Sequence, residues 1–157
     1  AAGLHLHLSE VPRIPSASVD ARAKNYHWAD LTQGLLGALD AGYDTVALGD
    51  GAGNVVEGPG FNVFCVNATG AIVTPASGVL EGVTRRTVLE MAAQLGIAVE
   101  TRALPATSAG GVLPITRVDG QPVGDGRIGP VTQQLIDTYW AWHQDPRYST
   151  PVDYDAG

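Results

Sequence analysis

A chain of 157 residues is one domain's worth, and with 45% apolar residues it can bury roughly 68–70% of its unfolded surface, which excludes global disorder. Sixteen acidic residues outweigh nine basic ones for a net charge of −7, which argues against a nucleic-acid binder and against attachment to anionic membranes. No apolar run approaches the ~20 residues of a membrane span, Ala1–Leu8 lacks the features of a signal peptide, and the lone Cys65 leaves no disulfide framework, so a reducing, cytoplasmic compartment fits.

Of the nine cations eight are arginine, and the only lysine is Lys24. A composition rich in Ala, Gly, Val and Arg explains why lysines are few, but not why this one stayed. Arginine replaces a surface lysine readily, whereas a Schiff base requires a primary amine that can lose its proton. Composition alone leaves both readings of Lys24 open.

Leu4-His5-Leu6-His7-Leu8 alternates apolar and polar, the pattern of a strand with one buried face. His5 and His7 share the other face; with no third ligand nearby in sequence, they are expected as exposed strand histidines, and no metal site is expected. Pro12 and Pro15 break the pattern. Lys24 to Trp28 is a linker into a helix beginning at Asp30, with Leu31, Leu35, Ala38 and Leu39 at helical spacing and Gly42 as its stop.

Short strands are expected at Thr45–Leu48, from Val55, at Asn62–Val66 and at Ala71–Val73. Gly49-Asp50-Gly51-Ala52-Gly53-Asn54 has the G-x-G of a dinucleotide loop, but no helix tolerates the Val55-Val56-Glu57-Gly58-Pro59-Gly60 that follows. Asp50-Gly51 is therefore read as a hairpin turn, and Asn67–Gly70 as another. This stretch reads as antiparallel hairpins rather than a βαβ series.

Thr84–Leu95 is the clearest helix, with Val88, Met91, Ala92 and Leu95 as its buried stripe and Gly96 as its stop. Arg85 and Arg86 stand in the first turn, where the helix dipole disfavours cations. Either an anion binds there, as free N–H groups at a helix start favour, or both side chains point to solvent or pair with acids. A strand is expected at Ile97–Val99, and a Gly-rich stretch runs from Thr107 to Gly111. Pro130 starts the last helix at N1, with Val131, Leu135, Ile136, Tyr139 and Trp140 inward.

Three blocks, Lys24-Asn25-Tyr26-His27-Trp28, Val56-Glu57-Gly58-Pro59-Gly60-Phe61-Asn62-Val63-Phe64 and Gly78-Val79-Leu80-Glu81-Gly82-Val83-Thr84-Arg85, together resemble the fold-type IV pyridoxal-phosphate aminotransferases. Their order and spacing are similar to the branched-chain and D-amino-acid aminotransferases. The likeness is greatest to the (R)-selective amine transaminases, through the K-N-x-x-W form, the Ala109-Gly110-Gly111 turn and the ending Ile128–Thr132 with Tyr139–His143. It runs from about Arg13 to Tyr154.

The resemblance implies an α+β fold, the large C-terminal domain of that family, a hairpin-rich sheet or barrel with packed helices. It implies pyridoxal 5'-phosphate as cofactor and a homodimer as the working unit. Lys24 would form the Schiff base and act as general base and acid, its amine tuned by desolvation and the cofactor's surroundings. Glu57 would face the pyridine nitrogen and keep it protonated. Val83, Thr84 and Ser108 would bind the phosphate, Ser108 at a position where the family usually has threonine. Trp28 would lie near the cofactor, although a core tryptophan reads equally well, and Tyr26, Ala109 and Gly110 would line the substrate pocket. No histidine stands in a context like a hydrolase triad, so Ser108 is expected as a ligand and not a nucleophile.

The expected activity moves an amino group between a primary amine or amino acid and a keto acid or ketone, with (R)-selective amine transamination as the leading reading. Branched-chain or D-amino-acid transamination, and an aminodeoxychorismate lyase of the same fold, stay open; so does a cofactor-free binding or structural remnant, against which the joint presence of Lys24, Glu57 and Thr84 speaks. Residues 1–157 are the cofactor-binding domain in this reading, and the family's small N-terminal domain has no counterpart in the sequence. The family also carries a helical turn and a strand where only Glu100 to Thr107 stand here, so either a segment is missing near 103–107, the favoured reading, or the protein is truly shortened there.

Overall fold

The structure, a computed structural model, describes residues 3–105 and 114–150. It has four layers. A seven-stranded sheet runs in the order β10 (Gln121–Pro122), β9 (Ile115–Val118), β1 (Leu4–Ser9), β2 (Thr45–Gly49), β3 (Asn54–Gly58), β4 (Phe61–Asn62), with β8 (Leu104–Pro105) also paired to β3. A three-stranded sheet holds β5 (Cys65–Val66), β6 (Ile72–Thr74) and β7 (Val99–Thr101). Helix α1 (Ala29–Asp40) covers the large sheet, while α2 (Val83–Gln94) and α3 (Pro130–Trp142) cover the small one.

The period-two geometry of strands sorts side chains among these layers. In β2, Val46 and Leu48 pack against Leu31 and Ala38 of α1, while Ala47 between them enters the space between the sheets with Leu6, Val55, Cys65, Val73 and Leu104. In β6, Val73 joins that central core and its neighbour Ile72 meets Val88, Met91 and Ala92 of α2 and Leu135 of α3. Each large side chain so buried contributes about 1.5–3 kcal/mol.

The hairpin reading holds from Thr45 to Thr74, where β2–β3, β3–β4 and β5–β6 are antiparallel. On either side the structure differs: β1 and β2 are parallel across α1, and β6 and β7 are parallel across α2. Two parallel neighbours need a crossover of a dozen or more residues, and each helix supplies it. The strand expected at Asn62–Val66 is in fact two. Val63 belongs to the central core and Phe64 to the helix-side core, so the chain leaves the large sheet after Asn62 and joins the small one at Cys65.

Helix stops fall where expected, with Gly42 (φ 83°) and Gly96 (φ 68°) each one residue past the C-cap. The strand expected at Ile97–Val99 begins at Val99, because the Ile97 N–H is used to close α2 on the Ala92 carbonyl. On α3, Leu135 is buried but Trp140 is 64% exposed. Trp142, two turns after Leu135, takes the inward place. The histidines of β1 are half-buried instead of exposed: both rings pack on Tyr43, and His7 Nδ1 bonds Asp119 Oδ1 at 2.7 Å.

Candidate active site

Three segments carry the expected site. The first is the loop between β1 and α1. Asn25 braces it from inside, its Nδ2 donating to the Ala23 carbonyl at 2.8 Å and its Oδ1 accepting from His27 N at 2.9 Å, so Lys24 stands in a turn fixed on both flanks. Lys24 is exposed, with Nζ 5.7 Å from the centre of the Trp28 ring, a cation–π distance. Tyr26 is fully exposed, and Trp28 is 38% exposed, so Trp28 is no core tryptophan.

The second segment is β3 with its turn into β4. Glu57 is 5% exposed, opposite Leu48 on one side and Asn62 on the other. Its Oε1 accepts from Arg13 Nε at 3.0 Å and its Oε2 from Leu80 N at 2.9 Å. A strand glutamate in water is excluded by this burial. Arg13 also donates through Nη1 to Asp30 Oδ2 at 2.7 Å, and Asp30 accepts further from Ile14 N and Leu31 N. Burial pushes the Asp30 carboxyl up, but the bonds from Ile14 N, Arg13 and Leu31 N together with the Arg13 charge outweigh it and hold the group below the usual carboxylate range. Burial opposes the charge on Arg13 as well, and the two carboxylates overcome it, raising the guanidinium further.

The third segment is the start of α2. Its N-cap is Gly82, which offers no side chain to the first N–H groups of Val83 and Thr84, and both of these residues are exposed. A Cβ at Gly82 would come within 2.5 Å of Asn62 Oδ1, so glycine lets the helix start approach β4 closely. Asn62 Nδ2 holds the same segment by donating to the Leu80 carbonyl at 2.7 Å. The first turn contains no acid, and neither Arg85 nor Arg86 joins an ion pair among the described residues. Arg85 is half-buried; its Nη2 donates to the Pro75 carbonyl, and its Nε is buried with no partner among the described residues. Bare N–H groups, two arginines and an orphaned guanidinium nitrogen suit an anion.

The structure thus joins Glu57 to the approach of α2 through Leu80, and to the neck of the lysine loop through Arg13 and Asp30. Ser108, Ala109 and Gly110 lie outside the described residues. Sequence reasoning missed Arg13 and Asp30 as site residues: they stand 44 and 27 positions before Glu57, and no local pattern pairs them. A cleft of about 1150 Å³ opens elsewhere, bordered by Phe64, Cys65, Ile72, Ile115, Val118 and Leu135, and includes neither Lys24, Glu57, Val83 nor Thr84. Among the described residues of the expected site, Lys24, Tyr26, Val83 and Thr84 are exposed. No helix among the described residues is long and apolar enough to cross a membrane.

Comparison with known proteins bears on this site. Residues 1–110 match the family described as Amino-transferase class IV. A branched-chain-amino-acid aminotransferase of Pseudomonas aeruginosa is 35% identical across 66% of this chain and 38% of its own length. The one of Escherichia coli K12 is 34% identical across 81% of this chain and 44% of its own. Among solved structures, a T.th. branched-chain amino acid aminotransferase complexed with N-(5'-phosphopyridoxyl)-L-glutamate superposes with a TM-score of 0.85 at 29% identity, over 94% of this chain and 54% of that one. The same enzyme is also known with pyridoxamine 5'-phosphate. The Escherichia coli branched-chain enzyme gives 0.82 at 26% identity, over all of this chain and 56% of that one. The chain spans about half or less of the length of these relatives.

Proposed function

Because the chain belongs to the class IV aminotransferases, with the fold-type IV architecture, we propose that it is the cofactor-binding domain of a pyridoxal-phosphate-dependent transaminase. The observation that carries the proposal is the buried Glu57 carboxylate, fixed between Arg13 and Leu80 N beside an uncapped helix start and tied to the loop of the only lysine.

The residues fit the cofactor. Its phosphate suits the N–H groups of Val83 and Thr84 with Arg85 behind them, and its ring nitrogen suits Glu57. Ser108 is a further phosphate ligand in this proposal, Trp28 borders the cofactor, and Tyr26, Ala109 and Gly110 contribute to the substrate pocket. When bound, pyridoxal phosphate supplies a carbonyl that condenses with primary amines and a ring that withdraws electrons from the neighbouring carbon. Lys24 supplies the primary amine of the protein and, once free, accepts and returns the proton of the substrate carbon. The exposed Tyr26, Trp28 and Val83 of these segments need a cover that excludes water. We assign that cover to a second copy of the chain, in a homodimer, and to the N-terminal domain that the family implies.

The donor is a primary amine or amino acid and the acceptor a keto acid or ketone. The K-N-x-x-W block and the Ile128–Thr132 ending favour an (R)-configured amine; the names of the curated relatives favour branched-chain amino acids. Borohydride reduction of the cofactor-loaded protein, followed by peptide mapping, should mark Lys24. Parallel assays with an (R)-1-arylethylamine, its (S) isomer and L-leucine then decide the donor. Absence of a cofactor mark on Lys24 would overturn the assignment.

A further inference from the structure

Arg13 is a charged side chain only 9% exposed, and none of the motif blocks contains it. Among the described residues its guanidinium bonds two charged partners, Asp30 on α1 and Glu57 on β3. Asp30 Oδ2 accepts both Arg13 Nη1 and Ile14 N at 2.7 Å, while Asp30 Oδ1 accepts Leu31 N at 2.8 Å. These bonds close the neck of the segment that departs after Arg13 and returns at Asp30, and Lys24 is carried on that segment. The second oxygen of Glu57 reaches Leu80 N, two residues before the N-cap of α2. One buried cluster therefore joins the lysine loop, the Glu57 strand and the helix start.

Stability is a weak reason for such a cluster. Taking three charges out of water is costly, and well-packed apolar side chains of equal volume often do as well or better. What apolar side chains cannot do is orient a carboxylate. A guanidinium presents its donors in a rigid planar fork, so the position of Asp30 on one prong dictates that of Glu57 on the other. The same cation also favours the charged form of Asp30.

We propose that Arg13, backed by Asp30, is a positioning residue for Glu57, which holds that carboxylate in one orientation and in fixed register with the loop bearing Lys24. The proposal rests on the reading of Glu57 as the group that faces the cofactor's ring nitrogen. Lysine at position 13 keeps the charge but loses the fork. Methionine loses both, and leaves two buried carboxylates with no cation between them.

The test compares the purified wild-type protein with Arg13→Lys, Arg13→Met, Asp30→Asn and Glu57→Gln. Binding of pyridoxamine phosphate is followed by fluorescence, and the ring nitrogen of the bound cofactor is titrated by absorbance against pH. In Arg13→Met we expect affinity to fall about tenfold, the worth of one charge-assisted hydrogen bond, and the titration midpoint to move down by about one pH unit. Arg13→Lys should restore the midpoint but not the affinity. With amine donor, kcat should fall in Arg13→Met while KM changes little, since no substrate contact is touched. If Arg13→Met does not fold, Arg13→Lys and Asp30→Asn decide: weaker binding in the first with a shifted midpoint in the second supports the proposal. Wild-type affinity and midpoint in both would overturn it. A Glu57→Gln protein with a shifted midpoint beside unshifted Arg13 and Asp30 variants would overturn this inference alone. Failure of the wild-type protein to bind cofactor would overturn the reading of Glu57 and this inference with it.

Discussion

Arg13 Nε donates to Glu57 Oε1 at 3.0 Å although the two residues are 44 positions apart, and both are less than a tenth exposed. The contact links the start of the lysine loop to the strand that carries Glu57. It also sets the consequences of several substitutions.

Lys24 makes one described contact, over the Trp28 ring. Lys24→Ala is therefore expected to leave unfolding within about 0.5 kcal/mol of wild type while abolishing amino transfer and borohydride fixation of the cofactor. Denaturant melts and a turnover assay on the same preparation check both halves. Turnover in a folded Lys24→Ala protein would remove Lys24 from the mechanism.

Glu57→Gln keeps the shape of the side chain but sets an amide NH₂ against one of two donors, Arg13 Nε or Leu80 N. The unsatisfied pair should cost about 1–3 kcal/mol of stability. If Glu57 holds the ring nitrogen protonated, proton abstraction should slow as well; ~2 kcal/mol at the transition state is roughly thirtyfold in rate. A lower denaturation midpoint with an unchanged single-turnover rate would show that the role is structural only.

Asp30 gives the fold an acid-sensitive contact. Its carboxyl is held below the usual range in the folded protein, so its stabilisation is fully present above the unfolded value of about 3.9 and is lost as pH falls through the lower folded value. Denaturation midpoints of the wild type should therefore decline below about pH 4, and Asp30→Asn should flatten that part of the profile. Parallel profiles for the two proteins would contradict the assignment.

Gly82→Ala places a methyl group 2.5 Å from Asn62 Oδ1, and Asn62 is held by its own bond to the Leu80 carbonyl. Either that bond breaks or α2 shifts, at about 1–3 kcal/mol. Since Val83 and Thr84 follow directly, cofactor affinity should fall with stability. Calorimetric binding of pyridoxal phosphate reads this; full affinity in the alanine variant would separate the helix start from phosphate binding.

Much of this was legible in the chain itself. Turn chemistry at Asp50-Gly51 and Asn67–Gly70, helix stops at Gly42 and Gly96, and Pro130 at a helix start act over a few residues, and all appear as expected. The three motif blocks identified the family for a similar reason, since each is a short run whose order alone carries the signal. What the tertiary structure decided depends on burial across the whole chain. Consecutive Val63 and Phe64 look like one strand until two cores compete for them. Trp140 and Trp142 look interchangeable until α3 has a partner to define its inner face. Arg13, Asp30 and Glu57 are ordinary charges in sequence, and only the packing of α1 against the large sheet removes water from them and leaves Arg13 as the donor to both carboxylates.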